Sequence, residues 1–346
     1  MSSASPICLA LGVGTTDSNG DWLEVFYPAP IATPSESLLL AVQQTTAYDS
    51  GNAAISLTKD DLKGLAEATS SANEAAFSEL AAQLTESQQP VVLTVIAEDI
   101  EPSSVPEIYL KLQMLSHRLV KPHEINLTGI FGKLPNVAWT SVGAITLEDL
   151  PQRQLEARMA GEVINVLSVD KFPKMANYTV PSGVRIGNAD QVRLGAHLGE
   201  GTTVMHAGFV NFNAGTHGTS MVEGRISAGV MVGNGSDLGG GASTMGTLSG
   251  GGNIVIAVGE EALIGANAGT GIPLGDRCTI ESGLYITAGT KVTLLDDQGQ
   301  EVESVKARDL AGKPDLLFRR NSKNGRIECL TNKSAIALNQ ELHANN

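Results

Sequence analysis

The sequence predicts a left-handed parallel β-helix over residues 179–293, with a mixed α/β domain before it and a short β cap after it. Two observations predict the coil. Glycine is concentrated there: 26 of the 38 glycines lie between Gly183 and Gly289. Aliphatic residues also recur every six positions through the same stretch. Ile186, Val192, Leu198, Val204 and Val210 form one run, and Ile226, Val232 and Leu238 a second. Val258 and Ile264 form a third, and Leu274, Ile280, Ile286 and Val292 a fourth. A six-residue period is the signature of a parallel β-helix. Each hexad supplies one short strand and one turn, and three hexads close a triangular coil. The aliphatic residue points into the prism, and small neighbours such as Gly187, Gly199 and Gly239 permit close stacking. A collagen-like period is absent, and the many Val, Ile and Leu exclude low-complexity disorder.

Residues 1–178 read as the mixed α/β domain. Residues 7–13 and 22–27 are predicted strands separated by a Gly/Asp/Asn/Ser turn. Thr58 with Asp61 has the capping-box pattern that opens a helix. Phe77, Leu80, Ala81 and Leu84 keep helical spacing, and Val91–Ile96 is a β-branched run after Pro90 that suits a buried strand. Val105, Ile108, Tyr109, Leu112, Leu115 and Leu119 keep helical spacing after a cap at Ser103 or Ser104. All of this is expected to be scaffold.

The breaks in the six-residue phase carry separate information. Val210 to Ile226 is sixteen residues, Leu238 to Val258 is twenty, and Ile264 to Leu274 is ten. Extra residues in a solenoid are expected to leave it as side loops, often on the binding face. The first break holds residues 211–220, and the second holds residues 243–249 with three glycines. After Val292 the hexads stop. Residues 296–299 read as a hairpin turn, and residues 294–346 as short strands capping the last coil.

Hydrophobic residues make up 42% of the 346, enough for ordinary globular cores. The net charge of −14 repels phosphate backbones and argues against a nucleic-acid partner. The charge is uneven. From Thr290 onward nine basic residues meet eight acidic ones, so this tail is where an anionic ligand is expected. Cys8, Cys278 and Cys329 form neither a disulfide framework nor a CxxC metal pattern, which suits a reducing cytoplasm. No signal peptide and no membrane-spanning segment is expected.

Several ordered stretches resemble tetrahydrodipicolinate N-succinyltransferases of the actinobacterial and pseudomonad type. They are Met221-Val222-Glu223-Gly224-Arg225-Ile226-Ser227, Gly239-Gly240-Gly241-Ala242-Ser243 and Gly265-Ala266-Asn267-Ala268-Gly269. Glu281-Ser282-Gly283-Leu284-Tyr285, Lys306-Ala307-Arg308 and Leu317-Phe318-Arg319-Arg320-Asn321-Ser322 complete the set. The resemblance spans residues 180–346 in register. It implies a homotrimer that moves succinyl from succinyl-CoA to tetrahydrodipicolinate in the diaminopimelate route to lysine, with active sites between neighbouring coils.

Glu223 is the implied catalytic residue. Acyl transfer to nitrogen needs a group to take a proton from the amine, and a partly buried carboxylate can do so. The resemblance also allows an acyl-anhydride at the same residue; the sequence leaves both roles open. Arg225, Gly240, Ser243, Ala266, Glu281, Ser282, Gly289, Lys306, Arg319, Arg320, Asn321 and Ser322 match the family's succinyl-CoA contacts. Small residues would let a pantetheine arm lie along the coil edge, and Lys306, Arg319 and Arg320 suit phosphates. Position 282 departs from the family, which commonly has Ala there.

The family can hold Mg through two carboxylates. Asp190 matches the first, but the second position is Ala207, which weakens an oxygen-ligand site. His197, His206 and His217 are nine and eleven residues apart. Neither interval is a multiple of six, so a three-histidine zinc site is not expected. Two other readings stay open at this point: a different acyl-CoA-dependent N-acyltransferase on the same scaffold, and a non-catalytic β-helix assembly protein.

Overall fold

The structure is a computed structural model that describes residues 7–246 and 254–331. The extreme N-terminus read for a leader, residues 247–249 of the second break, and the tail beyond residue 331 lie outside the described residues. The chain divides into two compact units. One holds the residues up to Met114 together with Ile125–Pro173, and the other holds Leu115–Glu124 with the residues from Lys174 onward.

The first unit is built on an antiparallel sheet. Val91–Ile96 is buried at all six positions because it is central: it pairs with Cys8–Thr16 on one side and Ala53–Leu57 on the other. Trp22–Phe26 extends the sheet beyond Cys8–Thr16. Helices Glu36–Thr45, Lys59–Ser71 and Ala75–Leu84 pack Leu38, Val42, Leu65 and Phe77 against Leu9, Leu11, Leu93 and Val95. The Thr58 capping box forms as read, with Asp61 N donating to the Thr58 hydroxyl and Thr58 N donating to the Asp61 carboxylate. The helix Val105–Ser116 starts where Glu107 N donates to Ser104 Oγ at 3.4 Å. Leu119 falls beyond its end, because the backbone turns left-handed at Arg118 (φ 63°). A small sheet of Gly143–Thr146, Val137–Thr140 and Val166–Asp170 completes the unit.

The second unit is a β-helix of three parallel faces. The first face stacks Ile186, Val204, Val222, Leu238, Ile264, Ile280 and Phe318. The second stacks Val192, Val210, Ile226, Thr244, Thr270 and Ile286. The third stacks Leu198, Thr216, Val232, Val258 and Leu274. Every aliphatic hexad position from Val192 to Ile286 is buried, and burying such a column is what makes stacked coils stable.

The first and third phase breaks are not the side loops expected from the sequence. Thr216 and Val222 continue the period from Val210, and Thr270 continues it from Ile264. Each coil then closes with a corner four residues long instead of six, Val222 to Ile226 and Thr270 to Leu274. The period was hidden because threonine looks polar in a sequence. Its β-branched shape matches valine, and an internal hydrogen bond removes the cost of burying its hydroxyl. Thr216 Oγ1 lies 2.6 Å from Thr202 Oγ1 and accepts from Gly199 N at 3.1 Å. Thr270 Oγ1 donates to Ile272 O at 2.7 Å and so fastens its own short corner. Between Thr244 and Val258 the coil does gain residues.

The hairpin turn at residues 296–299 forms between Lys291–Leu295 and Glu301–Lys306, closed by Gly299 N donating to Asp296 O at 3.0 Å. Leu316–Arg320 lies parallel on Thr279–Ile280 and adds one more layer to the first face.

Candidate active site

The shortened corner from Val222 to Ile226 carries Glu223, Gly224 and Arg225 on one tight turn. Its backbone is held on both sides: Glu223 N donates to Leu238 O at 2.9 Å, and Arg225 N donates to Ala242 O at 2.7 Å. A cavity of about 340 Å³ opens at this corner. Glu223, Gly224 and Arg225 line it with Gly241 and Ala242 of the next coil and with Gln191, Ala207 and Phe209 of earlier coils. Phe209 is backed by the Arg193 guanidinium, 6.0 Å from the ring centre.

Glu223 is half-buried, and its carboxylate makes no hydrogen bond or ion pair among the described residues. Arg225 does not neutralise it; Arg225 Nη2 donates instead to Ser243 Oγ at 3.0 Å, across the parallel register that sets the two residues side by side. A methyl group at Gly240 would stand 3.3 Å from the Glu223 carboxyl carbon and one of its oxygens. Gly241 takes a positive φ of 71° and lies against the Asn267 side chain, where only glycine fits.

Glu223 and most of the residues matched to succinyl-CoA fall into two groups, while Arg225 and Ser243 lie side by side on strands of the second face. Glu223, Gly240, Ala266, Glu281, Ser282, Arg319 and Arg320 all follow inward residues of the first face, so they form one column along one edge of the coil. Hydrogen bonds climb the column: Gly241 N to Glu223 O, Asn267 N to Gly240 O at 2.9 Å, and Gly283 N to Ala266 O at 2.8 Å. Glu281 N donates to Phe318 O, and Arg320 N donates to the Glu281 carboxylate at 2.6 Å. Four coil steps of about 4.8 Å each separate Glu223 from Arg320, about 19 Å in all. Arg319 and Asn321 are both held by the buried Glu328, at 3.0 and 2.6 Å, and Ser322 is exposed on the turn that follows. Gly289 and Lys306 form the second group, away from the column beside the C-terminal hairpin, where Lys306 lines a cavity of about 660 Å³.

Sequence reading passed over four residues here. Gln191 and Phe209 carry no motif and enter the cavity only because coils stack 16 to 18 residues apart. Lys291 and Arg308 join Lys306 in the second cavity; the near-neutral tail and the Lys306-Ala307-Arg308 stretch pointed to the region without naming these two as contacts.

Asp190 is exposed, and its carboxylate accepts from Lys174 Nζ at 3.0 Å. One lysine-paired carboxylate facing an alanine position does not fit a hard cation such as Mg, and no step below is routed through one. Among the described residues no group of three His, Cys, Asp or Glu is arranged to hold a metal. His197 is buried with Nδ1 3.1 Å from Val120 O, while His206 and His217 are exposed at two different corners, and none of the three lines the Glu223 cavity.

The chain is similar to known proteins over nearly its whole length. The family model described as tetrahydrodipicolinate N-succinyltransferase N-terminal matches residues 54–132, and its middle counterpart matches residues 134–174. A model of the hexapeptide repeat of succinyl-transferase matches residues 255–288. A 2,3,4,5-tetrahydropyridine-2,6-dicarboxylate N-succinyltransferase of Pseudomonas paraeruginosa is 63% identical over 99% of this chain and 100% of its own length. The chain belongs to the tetrahydrodipicolinate N-succinyltransferase family. A family member from Vibrio cholerae is 59% identical over 98% of each chain. A Campylobacter jejuni crystal structure described as a 2,3,4,5-tetrahydropyridine-2-carboxylate N-succinyltransferase superposes with a TM-score of 0.88 at 33% identity, covering 96% of this chain and 94% of that one. No described helix is long and apolar enough to cross a membrane.

Proposed function

We propose that this chain transfers the succinyl group of succinyl-CoA to tetrahydrodipicolinate, with water opening the ring, to give N-succinyl-2-amino-6-oxopimelate and CoA in the diaminopimelate route to lysine. The observation that supports this reading is the Glu223 carboxylate, which faces a cavity without a partner of its own. In the proposed reaction the amine nitrogen attacks the thioester carbonyl carbon and the C–N bond forms. Glu223 takes the proton that the nitrogen loses. The C–S bond then breaks, and the same proton passes to the departing thiolate. The edge column of small residues is the path for the pantetheine arm, from Glu223 towards the cations near Arg320. Arg225 orients the acyl end through Ser243.

The same reading takes the coil as left-handed, the enzyme as a cytoplasmic homotrimer, and the chain as three working parts at residues 1–178, 179–293 and 294–346. The test is CoA thiol release with succinyl-CoA and tetrahydrodipicolinate. Removing a positioned general base is expected to lower kcat by about 10²–10⁴-fold, so Glu223→Gln should lose at least two orders of magnitude while folding normally. Full activity in Glu223→Gln would remove that residue from the chemistry. No release by the wild type would remove the reaction itself.

A further inference from the structure

We propose that the notch beside Glu223, lined by Gln191, Ala207 and Phe209, seats the acyl acceptor, with the Gln191 amide holding the acceptor carboxylate farther from the reacting amine. This rests on the acyl-transfer reading above. The notch follows from corner lengths. Glu223 sits on a corner of four residues, Val222 to Ile226, between two corners of six, Val204 to Val210 before it and Leu238 to Thr244 after it. The short corner is recessed, and the cavity of about 340 Å³ is the space that its longer neighbours leave. That volume is at the small end of ligand pockets, about 300–1,000 Å³, so it admits a small metabolite and not a whole coenzyme. Direction separates the two substrates. The residues matched to the donor climb from Glu223 through later coils to Arg320, whereas the cavity reaches back to Ala207, Phe209 and Gln191 on earlier coils.

Gln191, Phe209 and Arg225 precede the inward residues Val192, Val210 and Ile226, which stack in register, so the three form one column on the second face. Two coil steps of about 4.8 Å put Gln191 about 10 Å from Arg225, a separation that suits a dicarboxylate chain. The backbone on this side is fixed. Gln191 ends the short turn Ala189–Gln191, where Asp190 N donates to Asn188 Oδ1 at 3.1 Å and Gln191 N donates to Asn188 O at 3.2 Å. Phe209 N donates to Gly224 O at 3.0 Å, directly under the Glu223 corner. The Gln191 side chain is half-buried and makes no hydrogen bond among the described residues, so its amide is available to a ligand in the cavity that it lines. A neutral amide suits this place. A cation would be drawn to Glu223 and occupy it, whereas the amide can bind an anionic group without doing so. Phe209 supplies an apolar wall for the acceptor's ring and methylenes, and the single methyl of Ala207 leaves the space open.

The test varies each substrate in turn and adds competition by 2-aminopimelate and by 2-aminoheptanoate, the same chain without the far carboxylate. Losing a hydrogen bond to a charged group should raise the acceptor KM of Gln191→Leu by about tenfold or more, with the KM for succinyl-CoA within about twofold of the wild type. The wild type should bind 2-aminopimelate about tenfold more tightly than 2-aminoheptanoate, and Gln191→Leu should bind the two within about twofold of each other. Gln191→Glu keeps the shape of the side chain but repels a carboxylate, so it should reverse the preference. Ala207→Leu fills the cavity without touching the amide; it should raise the acceptor KM by about tenfold and weaken both competitors alike. A preference for 2-aminopimelate that survives in Gln191→Leu and Gln191→Glu overturns the proposal. So does a rise in the KM for succinyl-CoA in place of the acceptor's, which would give the cavity to the donor. A wild type that releases no CoA would instead remove the acyl-transfer reading, a different result from an active enzyme indifferent to these substitutions.

Discussion

Glu223 owes its place to a glycine of the next coil. Gly240 has no side chain to fill the space beside its carboxylate, while the absent side chain of Gly224 clears Ala242. Gly240 has an ordinary backbone conformation, so alanine there strains little and acts mainly on its neighbour. A new methyl 3.3 Å from the carboxyl group is tighter than a normal contact and must displace it by a few tenths of an ångström. Catalysis is sensitive to displacements of that size. Gly240→Ala should therefore lower kcat by about tenfold or more, with a circular dichroism spectrum and melting temperature close to those of the wild type. An unchanged kcat would show that the carboxylate does not need this position. The three cysteines are a contrast: all are buried, and burial pushes the Cys8 and Cys329 thiols up to about 12, so no thiolate chemistry is built from them.

At the scale of the element, the segment Leu115–Glu124 lies along the third face of the coil and is tied to it by polar contacts. Gly195 N donates to Ser116 Oγ at 2.9 Å, Arg118 Nη2 donates to Ser182 O at 2.9 Å, and His123 N donates to Asn213 Oδ1 at 3.0 Å. Three histidines sit at this seam. Burial holds His117 and His197 below the ordinary histidine range; the more open His217 is lowered as well, by partial desolvation and by Lys121, with Glu260 and Glu124 opposing. A histidine whose folded pKa is depressed binds more protons when unfolded. Stability is therefore intact above the unfolded value of about 6.5 and is lost as pH falls below it. Denaturant midpoints should fall between pH 7.5 and 5.5, and His197→Gln should flatten that slope. A slope unchanged by the substitution would place the loss elsewhere.

At the scale of the whole molecule, the chain gathers Lys291, Lys306 and Arg308 around one cavity beside the C-terminal hairpin. It also leaves apolar side chains in the open on the first unit, with Met159 at 80%, Leu167 at 58% and Leu155 at 54% exposure. Soluble monomers seldom carry such a surface uncovered. Sedimentation equilibrium is expected to return three chain masses, and a single chain mass at micromolar concentration would contradict the homotrimer. The β-helix was legible from glycines and sixes because only one architecture needs an aliphatic residue at every sixth position. The capping box at Thr58 and the buried strand Val91–Ile96 were legible too, because each is a local pattern. Glu223 was singled out through its neighbours in the chain, whereas Gln191, Phe209 and Lys291 were not named and Arg308 entered only as part of the Lys306-Ala307-Arg308 stretch. The six-residue period by itself determined which residues fill the prism. Only the tertiary structure decided where the coils are short, because a buried threonine becomes a hexad residue only when a partner in space satisfies its hydroxyl. That correction moved Glu223 from the end of a supposed loop to a rigid four-residue corner, where stacking rather than sequence order selects the residues that face it.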